Sequence, residues 1–283
     1  MRCALKPGPD GSIVPAMESS LTPPPNRPRV FRHVPVRLIL PNLVTLLALC
    51  MGITAIRYAI EGRFDNAVLA IIAAAVLDGL DGRIARALKA TSRFGAELDS
   101  LADFIDFGVA PALVLYLWSL HEIKNLGWFA ALVFAVACAL RLARFNVALE
   151  DENKPAWAGN FFTGMPAPAG AIVGLLPLYL HLSEVHLDNV PQYVPFEIAY
   201  VLGVAMLMAS RIPHFSGKNI GRVPGDKLIF VMFGVAVTVL LLYTFPMEVL
   251  IALSVGYLAL IPFSFRKARA LAAADAAAAA PGP

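Results

Sequence analysis

Residues 78–106 read DGLDGRIARALKATSRFGAELDSLADFID and place five aspartates, at positions 78, 81, 99, 103 and 106, inside two long apolar blocks. An aspartate near the centre of a bilayer costs about 2.5–3.5 kcal/mol on insertion scales, so hydropathy alone does not select such a group. Asp78 and Asp81 are three residues apart, and Asp99 and Asp103 are four apart, so each pair shares one helix face. The stretch therefore predicts two antiparallel helices, joined by a basic turn at 89–94, with carboxylates at similar depth.

The composition around this stretch is that of a membrane protein. The chain has 283 residues, of which 58% are hydrophobic and 15% charged, and the mean hydropathy is +0.69. A soluble domain carries about 25% charged residues. The apolar blocks are continuous rather than alternating, which disfavours a β-barrel. These properties exclude a disordered protein, a nucleic-acid module and a compact soluble enzyme, and they predict an all-α, polytopic transmembrane helical bundle.

The distribution of basic residues predicts the topology. Eight apolar blocks approach the length needed to span a bilayer, at 38–60, 64–88, 95–120, 126–149, 167–183, 195–211, 227–244 and 246–264. Lys and Arg cluster before the first block and after every even-numbered block, whereas the other side has few of them. By the positive-inside rule, we expect eight spans with both termini in the cytoplasm. Residues 1–33 are expected to be a disordered cytoplasmic tail, 34–265 the transmembrane domain, and 266–283 a low-complexity cytoplasmic tail.

The facing carboxylates indicate a cation site. Four carboxylates close together cannot all ionise without cations between them, and oxygen-only ligands suit Mg²⁺, Mn²⁺ or Ca²⁺ better than zinc. Small residues at 79, 82, 85 and 95 allow a ligand or a neighbouring backbone to approach closely. Metal-dependent phosphate chemistry, a cation-coupled transporter and structural Asp–Arg pairs all remain open on the residues alone.

The spacing of these residues resembles the signature of the CDP-alcohol phosphatidyltransferases. Eight positions over 26 residues carry the resemblance, namely Asp78, Asp81, Gly82, Ala85, Arg86, Gly95, Asp99 and Asp103. Five further segments, at 40–45, 107–111, 141–146, 162–168 and 210–218, are similar to one branch of that family, the membrane-embedded bacterial phosphatidylserine synthases. The resemblance covers roughly residues 38–265. Asp106 lies outside the signature and has no role assigned by it.

The resemblance implies a reaction, a cofactor and a location. CDP-diacylglycerol and L-serine would give phosphatidylserine and CMP, with one or two Mg²⁺ or Mn²⁺ ions as the cofactor. The protein would lie in a bacterial inner membrane with its active site on the cytoplasmic side. The family also suggests a homodimer. Asp78, Asp81 and Asp99 are the implied metal ligands, and Asp103 is the implied general base and a further metal contact. The residues implied for CDP-diacylglycerol binding are Asp78, Gly82, Ala85, Arg86 and Gly95, with polar contacts from Asn42 and Thr45. Asn42 and Thr45 could equally form an N-cap where the first span begins.

Four basic residues are the candidates for the acceptor site. Arg141 and Arg144 are three residues apart, so they share a helix face, and one of them could hold the serine carboxylate. Arg211 and Lys218 are rival candidates for the acceptor or for a lipid phosphate. All four could instead anchor the protein to anionic headgroups. The same donor chemistry with glycerol 3-phosphate, inositol, inositol phosphate or choline as the acceptor is an open alternative.

Overall fold

The computed structural model describes residues 5–7, 13–15, 36–149, 161–183, 191–210, 213–215 and 228–279. Their regular elements are helices apart from four three-residue strands. The ten α-helices of the described residues are α1 Val36–Ile60, α2 Phe64–Ala87, α3 Arg93–Asp103, α4 Ala110–Trp118, α5 Lys124–Leu149, α6 Ala167–Gly174, α7 Leu176–Leu182, α8 Val194–Ala209, α9 Leu228–Thr244 and α10 Pro246–Ala279. The predicted all-α fold is confirmed.

Each of the eight predicted apolar blocks coincides with a helix or with two consecutive helices. Four segments of the described chain are long and apolar enough to cross a membrane, namely Ile39–Ile60, Arg93–Trp118, Leu120–Ala148 and Pro246–Lys267. Helix α2 is long enough but carries the aspartates and arginines, α8 and α9 are shorter, and the fifth block is divided into α6 and α7 at Leu175. The protein is an integral membrane protein, whereas eight crossings stays a prediction.

Local hydrogen bonds fix the turn between α2 and α3. Lys89 adopts a φ of 49°, its N–H donates to the Arg86 carbonyl at 3.2 Å, and the Ala90 N–H donates to the Ala85 carbonyl at 2.9 Å. This left-handed ending with two reverse hydrogen bonds is a Schellman motif. Ser92 then caps α3, because its hydroxyl accepts a 3.0 Å hydrogen bond from the Gly95 N–H. The chain can thus reverse within five residues, as the sequence predicts.

A π-helical segment, Phe104–Val109, joins α3 to α4 without a break. A π-turn inserts an extra residue and rotates the side chains that follow it. Asp106, Phe107 and Gly108 are buried in this segment. The rotation therefore occurs directly after Asp103, at the boundary between the acidic end of the helix and its apolar continuation.

The core is formed where α1 packs along α2 and α5 packs along α8. Its largest fully buried side chains include Tyr179, Phe107 and Phe134, in a cluster that also draws on α10. This packing holds α1, α2, α3 and α5 around the aspartates.

The strands form two short antiparallel pairs. In residues 1–34, β1 (Leu5–Pro7) pairs with β2 (Ile13–Pro15). In the remainder of the chain, β3 (Phe161–Thr163) pairs with β4 (Pro213–Phe215), which aligns Phe162 with His214. At the C-terminal end, α10 continues to Ala279. The tail assignments for residues 1–33 and 266–283 stay predictions.

Candidate active site

Three aspartates from two helices converge at the centre of the candidate site. Asp78 comes from α2, and Asp99 and Asp103 come from α3. One carboxylate oxygen from each residue lies within 4.8 Å of the other two, and all three side chains are half-buried. We call these three residues the acidic triad. The antiparallel hairpin predicted from the sequence thus brings its carboxylates to a common depth, and the donor set is all oxygen, which suits a hard divalent cation.

Asp81, the fourth expected metal ligand, lies outside the acidic triad. It is 4% exposed, and its Oδ2 accepts a 2.5 Å hydrogen bond from the Thr45 hydroxyl of α1. The Thr45 hydroxyl also lies 3.2 Å from the Pro41 carbonyl oxygen. Asp81 is therefore tied to α1 in this structure, while it lines the same cavity as Asp99. Its role as a metal ligand stays a prediction.

A cavity of about 170 Å³ opens beside the acidic triad, between α1, α2 and the start of α3. Its walls contain most of the residues that the sequence assigns to CDP-diacylglycerol: Asn42, Thr45, Gly82, Ala85, Arg86 and Gly95. Asp99 lines both the cavity and the triad. The residues expected at the donor site therefore line one cavity that reaches Asp99 of the acidic triad, and their role in binding the donor stays a prediction.

Gly95 allows α3 to pack closely against α1 at this cavity. A Cβ atom at Gly95 would lie 2.9 Å from Asn42 Oδ1 and 3.1 Å from Ser92 Oγ. The absence of a side chain there keeps Asn42 at the cavity wall. The alternative that Asn42 and Thr45 form an N-cap is wrong, because α1 begins at Val36 and both residues lie within the helix.

The structure separates the two arginines that the sequence pairs on one face of α5. Arg141 is 8% exposed and lies within electrostatic range of Asp103 and Asp78. Arg144 is exposed, and its Nη1 donates to the Ala209 carbonyl oxygen at the end of α8. The rival candidates Arg211 and Lys218 lie outside the described residues.

Asp106, to which the sequence assigned no role, lies about one helical turn beyond Asp103 of the acidic triad. Asp106 is 1% exposed, and its Oδ1 has no hydrogen-bond partner among the described residues. A Cβ atom at Gly52 of α1 would clash with this oxygen and would lie 3.1 Å from the Asp106 Cα. Gly52 is therefore the residue that admits Asp106 against α1. The only signal in the sequence was a glycine within the first apolar block. Its meaning becomes clear only when the packing of α1 against the π-helical segment is known.

Two of the segments similar to the phosphatidylserine synthases meet in one strand pair. Residues 162–168 and 210–218 contribute β3 and β4, respectively, to one strand pair. Next to that pair, the Met165 N–H donates to the Leu207 carbonyl at 3.4 Å, and Gly164 has a φ of 79°. A Cβ atom at Gly164 would lie 2.7 Å from the Ser210 carbonyl oxygen, so this close approach requires glycine.

Comparison with known proteins identifies the family of this chain. A sequence model of the CDP-alcohol phosphatidyltransferase family matches residues 38–210, which contain the triad, the cavity and both arginines. A Mycobacterium leprae protein named CDP-diacylglycerol–serine O-phosphatidyltransferase is 42% identical over 250 residues, which cover 88% of this chain and 81% of the relative. Relatives with the same name are 41% identical in Mycobacterium tuberculosis strain H37Rv, over 87% of this chain and 84% of the relative, and 33% identical in Helicobacter pylori strain 26695, over 75% and 84%.

Proposed function

Because the chain belongs to the CDP-alcohol phosphatidyltransferase family, we propose that it transfers the phosphatidyl group of CDP-diacylglycerol to the hydroxyl of L-serine, releasing CMP. The observation that carries this proposal is the acidic triad at the end of a cavity lined by the family's signature residues. The serine acceptor is supported by relatives of that name that are 41–42% identical over most of the chain.

The donor nucleotide occupies the cavity between α1, α2 and α3. Gly82 and Ala85 leave space for the cytidine, and Arg86 supplies positive charge for phosphate at the cavity wall. Asn42 and Thr45 contribute polar groups from the opposite wall. The diphosphate then points toward the acidic triad, because Asp99 lines the cavity and also belongs to the triad.

Members of this family depend on a divalent cation, and the acidic triad has the donor chemistry to hold Mg²⁺ or Mn²⁺. When bound, such a cation neutralises the diphosphate and stabilises the leaving phosphate of CMP. Asp78 and Asp99 serve as ligands, Asp103 is shared between the cation and the acceptor, and Asp81 is a further ligand if it exchanges its bond with Thr45 for the cation. One or two ions are compatible with four carboxylates.

The acceptor hydroxyl attacks the phosphorus that carries diacylglycerol. A serine hydroxyl is a weak nucleophile, so a base within hydrogen-bond reach must take its proton. Asp103 is suited to this role, because it is the triad residue at the end of α3 where that helix faces α5 and Arg141. Direct attack requires no covalent enzyme intermediate. It forms one phosphorus–oxygen bond and breaks the bond to the CMP oxygen.

The site is proposed to lie on the cytoplasmic side of a bacterial inner membrane, with eight spans and both termini in the cytoplasm. The basic turn after α2 supports this orientation, because positive charge is retained on that side. In a variant without Cys3, Cys50 and Cys138, an impermeant thiol reagent applied to intact cells should spare Lys89→Cys and label Glu122→Cys. Labelling of the cysteine at position 89 from outside would reverse the orientation.

The decisive experiment for the acceptor is a panel assay. Purified protein in mixed micelles with CDP-diacylglycerol and Mg²⁺ is given serine, glycerol 3-phosphate, inositol, inositol phosphate or choline, and CMP release is measured. We expect serine to be used with the highest kcat/KM. Preference for another alcohol would retain the donor chemistry and refute the serine assignment, whereas no CMP release with any acceptor would favour a transport role for the carboxylates. A homodimer stays a prediction.

A further inference from the structure

The side chain of Arg141 is largely buried, and its guanidinium nitrogens, which are not fully buried, have no hydrogen-bond partner among the described residues. The residue is 8% exposed, and its guanidinium carbon lies 5.4 Å from the centroid of the Phe145 ring. Among the described residues, it donates no hydrogen bond and forms no ion pair within 4.0 Å. Burying a charge is costly unless it is paired and hydrogen-bonded, so these donors are expected to serve an anion that binds there.

Arg141 approaches the acidic triad from a different side than the donor cavity. Its electrostatic partners include Asp103 and Asp78, whereas the cavity is lined by Asp99 and Asp81 and by neither Arg141 nor Asp103. Asp99 and Asp103 are one helical turn apart, about 6 Å along α3. Phosphoryl transfer places the attacking and leaving oxygens roughly in line on opposite sides of phosphorus. With CMP leaving on the cavity side, the acceptor enters on the side of Arg141.

We infer that Arg141 binds the carboxylate of the acceptor and thereby selects hydroxy amino acids over alcohols that lack a carboxylate. This inference rests on the proposed function and names the residue that determines its acceptor class. The planar guanidinium can donate two parallel hydrogen bonds to a carboxylate, which orients the acceptor as well as binding it. A site with a buried polar group rejects an analogue that leaves that group unpaired.

The neighbouring arginine has a different task. Arg144 is exposed, and its donation to the Ala209 carbonyl joins the end of α5 to the end of α8. This hydrogen bond stabilises the packing of the two helices, so Arg144 Nη1 is engaged by the protein rather than by a substrate. The assignment of the carboxylate to Arg141 instead of Arg144 follows from burial and from proximity to Asp103, neither of which the spacing in the sequence distinguishes.

The test compares acceptors with and without a carboxylate. Purified full-length protein, CDP-diacylglycerol micelles and Mg²⁺ are used to measure kcat and KM for serine and for serinamide with wild type, Arg141→Lys and Arg141→Gln. Arg57→Gln is the matched control, because Arg57 is exposed in the last turn of α1 and donates to Glu61 at 2.8 Å. We expect the serine KM of both Arg141 variants to rise about tenfold or more, with the KM for CDP-diacylglycerol within about twofold of wild type. Serinamide should be used about equally by wild type and variants.

Several results would overturn the inference. An equal loss of kcat/KM for serine and for serinamide would show that Arg141 has a structural role. A rise in the KM for CDP-diacylglycerol alone would show that Arg141 binds the donor substrate. A larger increase in the serine KM for Arg144→Gln would assign the carboxylate to Arg144. Arg141→Lys keeps the buried charge, so it remains informative if Arg141→Gln does not fold. Wild type without serine-dependent CMP release would refute the proposed function itself, whereas an active wild type with an unchanged variant refutes only this inference.

Discussion

Replacement of Gly82 by alanine should separate folding stability from activity. Gly82 lies inside α2 and lines the donor cavity, and a Cβ atom there would meet no protein atom closer than Arg86 Nη1 at 3.8 Å. The protein therefore accommodates the methyl group without a clash. Since alanine is a better helix former than glycine, Gly82→Ala should be neutral or should stabilise the helix by about 0.5–1 kcal/mol.

The same methyl group should obstruct the donor. In a cavity of about 170 Å³, it projects into the space that we assign to the nucleotide. Overpacking of a fitted site costs about 1–3 kcal/mol. A loss of that size corresponds to a decrease of roughly five- to 150-fold in kcat/KM for CDP-diacylglycerol.

Gly79→Ala is the matched control for this experiment. Gly79 is in the same helix, is exposed, has no atom within 4 Å of its would-be Cβ, and does not line the cavity. Thermal unfolding in detergent and CMP release at varied CDP-diacylglycerol should be measured for both variants. Both should melt at or above the wild-type temperature, and only Gly82→Ala should lose activity. Wild-type kinetics for Gly82→Ala would show that the cavity is not the donor site.

Three further predictions concern the neighbouring residues. Chelation with EDTA should abolish CMP release and Mg²⁺ or Mn²⁺ should restore it, while Asp99→Asn should fold yet stay inactive; activity in metal-free buffer would contradict the cation site. Thr45→Val removes the hydroxyl that donates a hydrogen bond to the buried Asp81, which should cost about 1–3 kcal/mol. The melting temperature and the affinity for CDP-diacylglycerol should therefore fall, and Thr45→Ser should restore both. Gly52→Ala places a methyl group against the side chain and backbone of Asp106, so thermal unfolding should show a loss of about 1–3 kcal/mol or more; a wild-type melting temperature would refute the close approach.

The sequence predicts the helices and the acidic hairpin because both depend on local information. Apolar run length determines where the helices lie, and the spacing of Asp78, Asp99 and Asp103 around a short turn brings their carboxylates together at one depth. The cavity residues follow from the resemblance, which fixes positions relative to those aspartates. These features require no knowledge of how distant helices pack.

The remaining features depend on helix rotation and tertiary contacts. Arg141 and Arg144 are equivalent by spacing, and only tertiary contacts place Arg141 near Asp103 and Arg144 at the end of α8. Asp81 turns toward Thr45 because α1 lies along α2. The burial of Asp106 follows from the π-helical segment, which shifts the helix face at a position that side-chain periodicity does not reveal.

The measurement that tests the central claim most directly is the dependence of CMP release on serine. Purified protein is mixed with CDP-diacylglycerol and Mg²⁺, first without and then with serine, and CMP and phosphatidylserine are quantified over the first turnover and at steady state. Direct displacement predicts no burst of CMP without serine, and one phosphatidylserine for each CMP once serine is added. A burst equal to the enzyme concentration without serine, or CMP release at a rate that serine does not change, would contradict transfer to serine in a single step at the acidic triad.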